Sequence, residues 1–365
     1  MTTVFDAHVH CFPPLGEDTG DMAARMAETQ HHIRFAGATD IRRTRDNAPI
    51  GEPVLVGDGD GVSWLPDVDF RIGRYGRVEF TIHGEDYYYQ LFTPSLWDNS
   101  CPADYMITQM DYAGVDRALL QSDRMYGKLD DYLVDCIRQY PDRLVALAQV
   151  DEWRGGSPDQ LERVRRQIED YGFSGLYFST SGFFHCDFEF GVNEPSLEPL
   201  WELVGELGVP VHWSSASKRR PQMDVYFSEL EDFDHWATAH PGIPSVLTHG
   251  LENLRIDVNV RNRYHVPPQI LRLLNNPGWS IELMLHKMSF DDEFPPYTPG
   301  IKDVVRTLVS EVGAEKLVWG SDMPSCEEVV TYKQSMVLFK TRCDFLTQNE
   351  RDGILGGNLQ RLYPL

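Results

Sequence analysis

Basic residues are scarce in this chain: its 365 residues hold 33 Lys+Arg against 56 Asp+Glu, a formal net charge of −23. Duplex DNA and other polyanions require a basic footprint, and an acidic surface offers no attraction to anionic lipid. Neither nucleic acid nor membrane is therefore expected as a partner. Long apolar runs are missing too, and a bilayer-spanning helix needs about 20 such residues in a row. The start, Met1-Thr-Thr-Val-Phe-Asp6, has neither the basic nor the apolar region of a signal peptide. Cys11, Cys101, Cys136, Cys186, Cys326 and Cys343 show no CxxC spacing. That excludes a zinc knuckle and points to reduced thiols in a cytoplasmic protein, not a disulfide framework. Repeats and low-complexity tracts are absent. With 42% hydrophobic residues, disorder is excluded as the main state.

What the chain does contain is a succession of short apolar runs, each a candidate strand. They are Thr3–Asp6, Arg117–Gln121, Leu144–Val150, Gly172–Phe178, Val209–Trp213, Ile243–Thr248, Trp279–Leu285 and Lys316–Ser321. From the second onward they recur at roughly 25 to 40 residues, and most gaps hold an amphipathic helical pattern. Strand alternating with helix predicts a parallel sheet. Eight such units predict an α/β fold, a (β/α)8 TIM barrel of about 250 residues plus insertions. A doubly wound open sheet is the rival, but it would carry a Gly-rich phosphate turn after its first strand. Here that strand runs into His8-Val-His10-Cys-Phe-Pro-Pro14. The excess length lies at 11–99, a long insertion after strand 1 within a single domain, 1–365. Its Arg74–His83 segment alternates and closes as a hairpin at Gly84-Glu85-Asp86. In a barrel this insertion leaves from the mouth, as a lid, a dimer contact or both.

The strongest local pattern is Asp6-Ala-His8-Val-His10. Residues i and i+2 of a strand point to one face, so Asp6, His8 and His10 are expected to share a side. Two imidazoles so placed can bind one divalent metal; the alternative is a core strand that happens to carry histidines. His212 ends strand 5, His249 follows strand 6 and Asp322 follows strand 8. All lie at C-terminal strand ends, where a barrel gathers its catalytic groups.

With these residues in place the sequence resembles the amidohydrolase superfamily. More narrowly it resembles the amidohydrolase-2 branch, which includes α-amino-β-carboxymuconate-ε-semialdehyde decarboxylase, related benzoate-type decarboxylases, lactonases and hydratases. Met110-Asp-Tyr-Ala-Gly-Val-Asp116, Leu197–Pro210 and Asn358-Leu-Gln-Arg-Leu-Tyr363 add to the likeness, which covers about 1–10 and 100–365. The resemblance implies His8, His10, His212 and Asp322 as ligands of one metal, with His249 as a nearby acid/base. Asp322 is implied in catalysis as well, as acceptor of a proton from the metal-bound water. Dinuclear members bridge two metals with a carboxylated lysine on strand 4. No lysine lies between Asp170 and Gly191 here, which favours a single divalent ion, zinc first, with manganese and iron as alternatives. Asp6 then supports the site without ligating.

A divalent metal lowers the pKa of bound water from about 15.7 toward 7, and a histidine that is not a ligand can move a proton near neutrality. This machinery supports non-oxidative decarboxylation of a small aromatic or unsaturated cyclic acid, the leading expectation because the insertion resembles that of decarboxylase members. It equally supports hydrolysis of a lactone, amide or related cyclic bond; a non-catalytic metal-binding barrel is the third reading. Where family arginines would hold a substrate carboxylate, just before Trp97, the chain offers Tyr87, Tyr88, Tyr89, Gln90 and Thr93. Arg124, after strand 2, is the replacement expected from bidentate pairing, or else a surface arginine. Trp213, Tyr88 and His286 complete the substrate-binding candidates, and Glu282 is a candidate barrel-interior support. The expected partners are a small-molecule substrate and a second copy of the chain in a homo-oligomer, a dimer.

Overall fold

Eight parallel strands, each positioned by its alternation of inward and outward residues, form the centre of the computed structural model. The structure describes residues 3–17, 21–34, 40–51, 54–55, 57–215, 223–251, 266–284 and 299–363. The strands are β1 (Phe5–Val9), β2 (Arg117–Leu120), β3 (Leu144–Ala146, resumed at Ala148–Gln149), β4 (Leu176–Ser179), β5 (Val211–Ser214), β6 (Ser245–Thr248), β7 (Trp279–Leu283) and β8 (Leu317–Trp319). They pair in chain order, every ladder parallel. The ends of the row meet where Val9 bridges Met323, with Asp322 N donating to His8 O and His10 N to Met323 O, both at 2.8 Å. This is the (β/α)8 barrel that the strand–helix alternation predicts.

Helices Ala103–Ala113, Asp130–Gln139, Pro158–Glu169, Glu198–Leu207, Met223–Ala239, Pro268–Leu274 and Pro299–Val312 make the crossovers. Gly114 and Gly208 end two of them in the left-handed conformation, at φ 78° and 67°. Among the described residues no helix is long and apolar enough to cross a membrane.

Inside the barrel, Phe5, Ala7, Leu119, Val145, Leu147, Tyr177, Val246 and Val318 pack into one cluster with Leu359 and Tyr363. Outside it, Trp213 packs against Trp201, Trp236, Trp279, Phe178 and Phe233 with ring centres 4.6 to 6.2 Å apart. The insertion holds a helix, Met22–Ile33, and an antiparallel sheet in the order Arg42–Arg43, Glu85–Gln90, Arg77–Ile82, Arg71–Ile72. Its hairpin turns on His83 and Gly84 at φ 51° and 80°, the double left-handed turn that suits strand twist. Phe12 and Cys101 exchange backbone hydrogen bonds at 3.0 Å and so tie the insertion's two ends together.

Candidate metal centre

The site begins with an irregularity in β1. Asp6 pairs with Ala118 and Val9 with Leu120, so three steps on β1 oppose two on β2. This one-residue bulge places Asp6 and Val9 on the same side as Ala118 and Leu120, which pack in the outer core with Val9. His8 and His10 flank Val9 and turn inward. The expectation that Asp6, His8 and His10 share a face is therefore corrected: the extra residue turns Asp6 to the opposite side. There Asp6 Oδ1 accepts from the amides of His8 (3.0 Å) and Ser321 (2.9 Å), tying the bulge that carries His8 to the segment after β8 that carries Asp322. Burial pushes its carboxyl up to about 7.

The far ring nitrogens of the two histidines are each engaged. His10 Nδ1 donates to Gln121 O at 2.8 Å, and His8 Nδ1 lies 3.1 and 3.2 Å from the two oxygens of Glu282. A proton on each Nδ1, which the carbonyl and the carboxylate favour, leaves each Nε2 able to accept. Those two atoms are 3.0 Å apart; Asp322 Oδ1 lies 2.9 Å from His10 Nε2 and 3.7 Å from His8 Nε2. Three acceptor atoms this close repel unless a proton or a cation lies among them. His8, His10 and Asp322 offer ligand atoms within 4.8 Å of one another, all three residues buried. Two neutral imidazoles and one carboxylate, with the outer nitrogens held by a carboxylate and a carbonyl, fit a divalent metal.

His212 stands beside this trio. It is level with Tyr177 and Val246 in the barrel's inner layer. Burial above all depresses its pKa to about 3, so it is neutral near pH 7. Gln121 Nε2 donates to Ala7 O at 2.8 Å and lies 3.2 Å from His212 Nδ1, while His212 Nε2 is buried without a hydrogen-bond partner. His249 sits at the rim with its ring centre 5.1 Å from that of His8, edge to face. His249 and Asp322 both adopt left-handed backbone, φ 57° and 56°, a conformation that costs a non-glycine about 1–3 kcal/mol and persists only where surrounding structure enforces it.

A cleft of about 360 Å³ opens onto His10, His249 and Asp322 between Tyr89, Phe92, Tyr126 and Tyr177. Tyr126 stacks on Phe12 at 4.4 Å and tilts over His10 at 4.8 Å, so the wall beside the donors is a flat aromatic face. Of the residues the sequence singles out for substrate, Tyr88 lies in the insertion sheet, under Arg77 at 4.0 Å and bonded to Asn47. Its neighbour Tyr89, on the other face of the strand, lines the cleft. Trp213 points outward because its neighbour His212 points in. Arg124 is taken up by Glu28 (3.1 Å), Asp151 (3.1 Å) and Glu152 (2.5 Å) and lies over Trp153. His286 lies outside the described residues. Gln121, Tyr126, Tyr177 and His32 reach the site without having been singled out. Alternation on β2 and β4 marks Gln121 and Tyr177 as inward-facing, whereas nothing local marks His32, which the insertion helix brings to the cleft.

Comparisons with known proteins agree with this architecture. A probable 2-pyrone-4,6-dicarboxylic acid hydrolase from Acinetobacter baumannii, with citric acid bound, is similar at TM-score 0.54 and 20% identity, over 73% of this chain and 91% of that one. A dihydroxybenzoic acid decarboxylase from Polaromonas, with manganese and 2-nitroresorcinol bound, is similar at TM-score 0.51 and 15% identity, over 72% and 86%. An amidohydrolase from Burkholderia multivorans with bound zinc is similar at TM-score 0.55 and 15% identity, over 73% and 90%. No curated protein matches the chain by sequence. These likenesses are of fold. The family assignment comes from the amidohydrolase family model, which matches residues 99–365. That span carries seven of the eight barrel strands together with Asp322 and His249, and the chain belongs to the amidohydrolase family of (β/α)8-barrel enzymes.

Proposed function

We propose that this enzyme removes CO2, without oxidation, from a small aromatic or unsaturated cyclic carboxylic acid, and that His8, His10 and Asp322 hold one divalent metal for the purpose. The single observation that carries the reading is the convergence of three buried acceptor atoms beside a flat aromatic wall. A metal held there supplies Lewis-acid polarisation and an acidified water molecule. Zinc is the first choice, with manganese and iron as alternatives. His212 is the fourth donor of the scheme, with its buried Nε2 free of any hydrogen-bond partner.

The residues of the chain do the rest. Tyr126 and Phe92 hold a planar ring against the wall, and the insertion residues Tyr89 and His32 cover it from solvent. His249 delivers the proton. The bond between ring carbon and carboxylate breaks, its electron pair stays on the ring carbon, and that carbon takes the proton from His249 as CO2 leaves. The same placement of His249 serves a hydrolase equally well, by protonating the leaving oxygen of a lactone. The resemblance to a pyrone hydrolase favours keeping that second reading.

The test is a panel of hydroxybenzoates assayed for CO2 release alongside a panel of lactones assayed for ring opening. Activity on the acids, lost after chelation, restored by zinc or manganese and reduced about 10²- to 10⁴-fold in His249→Asn, is the expected result. Ring opening without CO2 release replaces decarboxylation with hydrolysis. Chelation-resistant activity overturns the metal reading.

A further inference from the structure

We infer that Glu282 is a positioning residue that sets the tautomer of His8 and thereby the affinity of the metal centre. The inference rests on the reading of His8, His10 and Asp322 as metal donors. Glu282 lies on β7, fully buried, and both its carboxylate oxygens lie within 3.2 Å of His8 Nδ1. That is the ring nitrogen facing away from His10 and Asp322, so Glu282 backs the imidazole and does not compete for the cation. A carboxylate at Nδ1 holds the proton on that atom, keeps the lone pair on Nε2, and makes the ring a stronger donor.

A second feature shows that space is reserved for this carboxylate. A Cβ added at Gly320, just past β8, would lie 1.8 Å from Glu282 Oε1 and 2.5 Å from its carboxyl carbon. The Glu282 head therefore occupies the room that a side chain at 320 would take. Gly320 immediately precedes Ser321 and Asp322, so the glycine that admits Glu282 lies on the segment that presents the carboxylate donor. Neither Glu282 nor Gly320 lines the cleft, so Glu282 acts on the chemistry through the donors it backs and not by touching the substrate.

The test uses the full chain, wild type, as Glu282→Gln, Glu282→Ala and Gly320→Ala. Zinc and manganese affinities are measured by competition with a chromophoric chelator. The His8 ring tautomer is read from long-range ¹H–¹⁵N spectra of the metal-free protein. Expected are one equivalent of metal in the wild type and about 10- to 100-fold weaker binding in Gly320→Ala and Glu282→Ala. Glu282→Gln, which keeps an acceptor but loses the charge, should fall between. His8 should shift from the Nδ1–H toward the Nε2–H tautomer in Glu282→Ala. Unchanged affinity and unchanged tautomer in folded Gly320→Ala and Glu282→Gln overturn the inference while leaving the metal centre intact. A wild type that binds neither cation overturns the metal centre itself.

Discussion

Arg124 illustrates how much a side chain's partners decide its role. From sequence it is a reasonable grip for a substrate carboxylate, since it follows strand 2 at the mouth. In the fold its guanidinium meets Glu28, Asp151 and Glu152 and covers Trp153, so its donors serve carboxylates of the chain itself. Removing one partner of a buried ion pair typically costs about 3–5 kcal/mol, because the others stay buried and uncompensated. Arg124→Ala should lower stability by about that much in urea unfolding. A variant of wild-type stability whose only defect is a raised KM would instead return Arg124 to the substrate. Glu282 makes the converse point. Its residue type was legible as a support inside the barrel, but its partner, His8, lies 274 positions away, and no local pattern states that pairing.

Among the elements, β1 and the insertion helix depart most from what periodicity predicts. Period two places Asp6 with His8 and His10, yet the bulge spends one extra residue and turns Asp6 around, letting it clasp the amides of His8 and Ser321. Bulges leave no simple mark in a sequence because they are settled by pairing with the neighbouring strand. The helix Met22–Ile33 departs in another way. Its buried residues are Arg25, Glu28, Thr29, Gln30, His31 and a single aliphatic one, Ile33. Such a helix docks through polar contacts, chiefly Glu28 with Arg124 and with His185 at 2.5 Å, and carries little apolar burial to hold it in place. Glu28→Ala should speed hydrogen exchange across residues 22–33 and raise KM, because His32 of that helix lines the cleft, while the barrel strands keep their protection. Uniform loss of protection would show that the contact supports the whole barrel.

For the whole molecule, stability and function occupy different layers of the same strands. Outward residues of β4, β5 and β7 build the tryptophan-rich core against the helices; inward residues of those strands supply Tyr177, His212 and Glu282. Trp236→Ala, in the outer layer and fully buried, should cost about 3–5 kcal/mol and lower the melting temperature while metal affinity in the folded protein stays at its wild-type value. A parallel loss of affinity would mean that the two layers are coupled. The alternation of apolar strand and amphipathic helix was readable in the linear chain, and so were the histidines and aspartate at strand ends, because both follow from local periodicity and from residue chemistry. Which nitrogen of each histidine faces the other donors, which carboxylate stands behind it, which tyrosine of the Tyr87–Tyr89 run meets the cleft and which arginine is already engaged were settled only in three dimensions. Each depends on contacts between segments far apart in sequence, and lone pairs, ion pairs and excluded volume act through space.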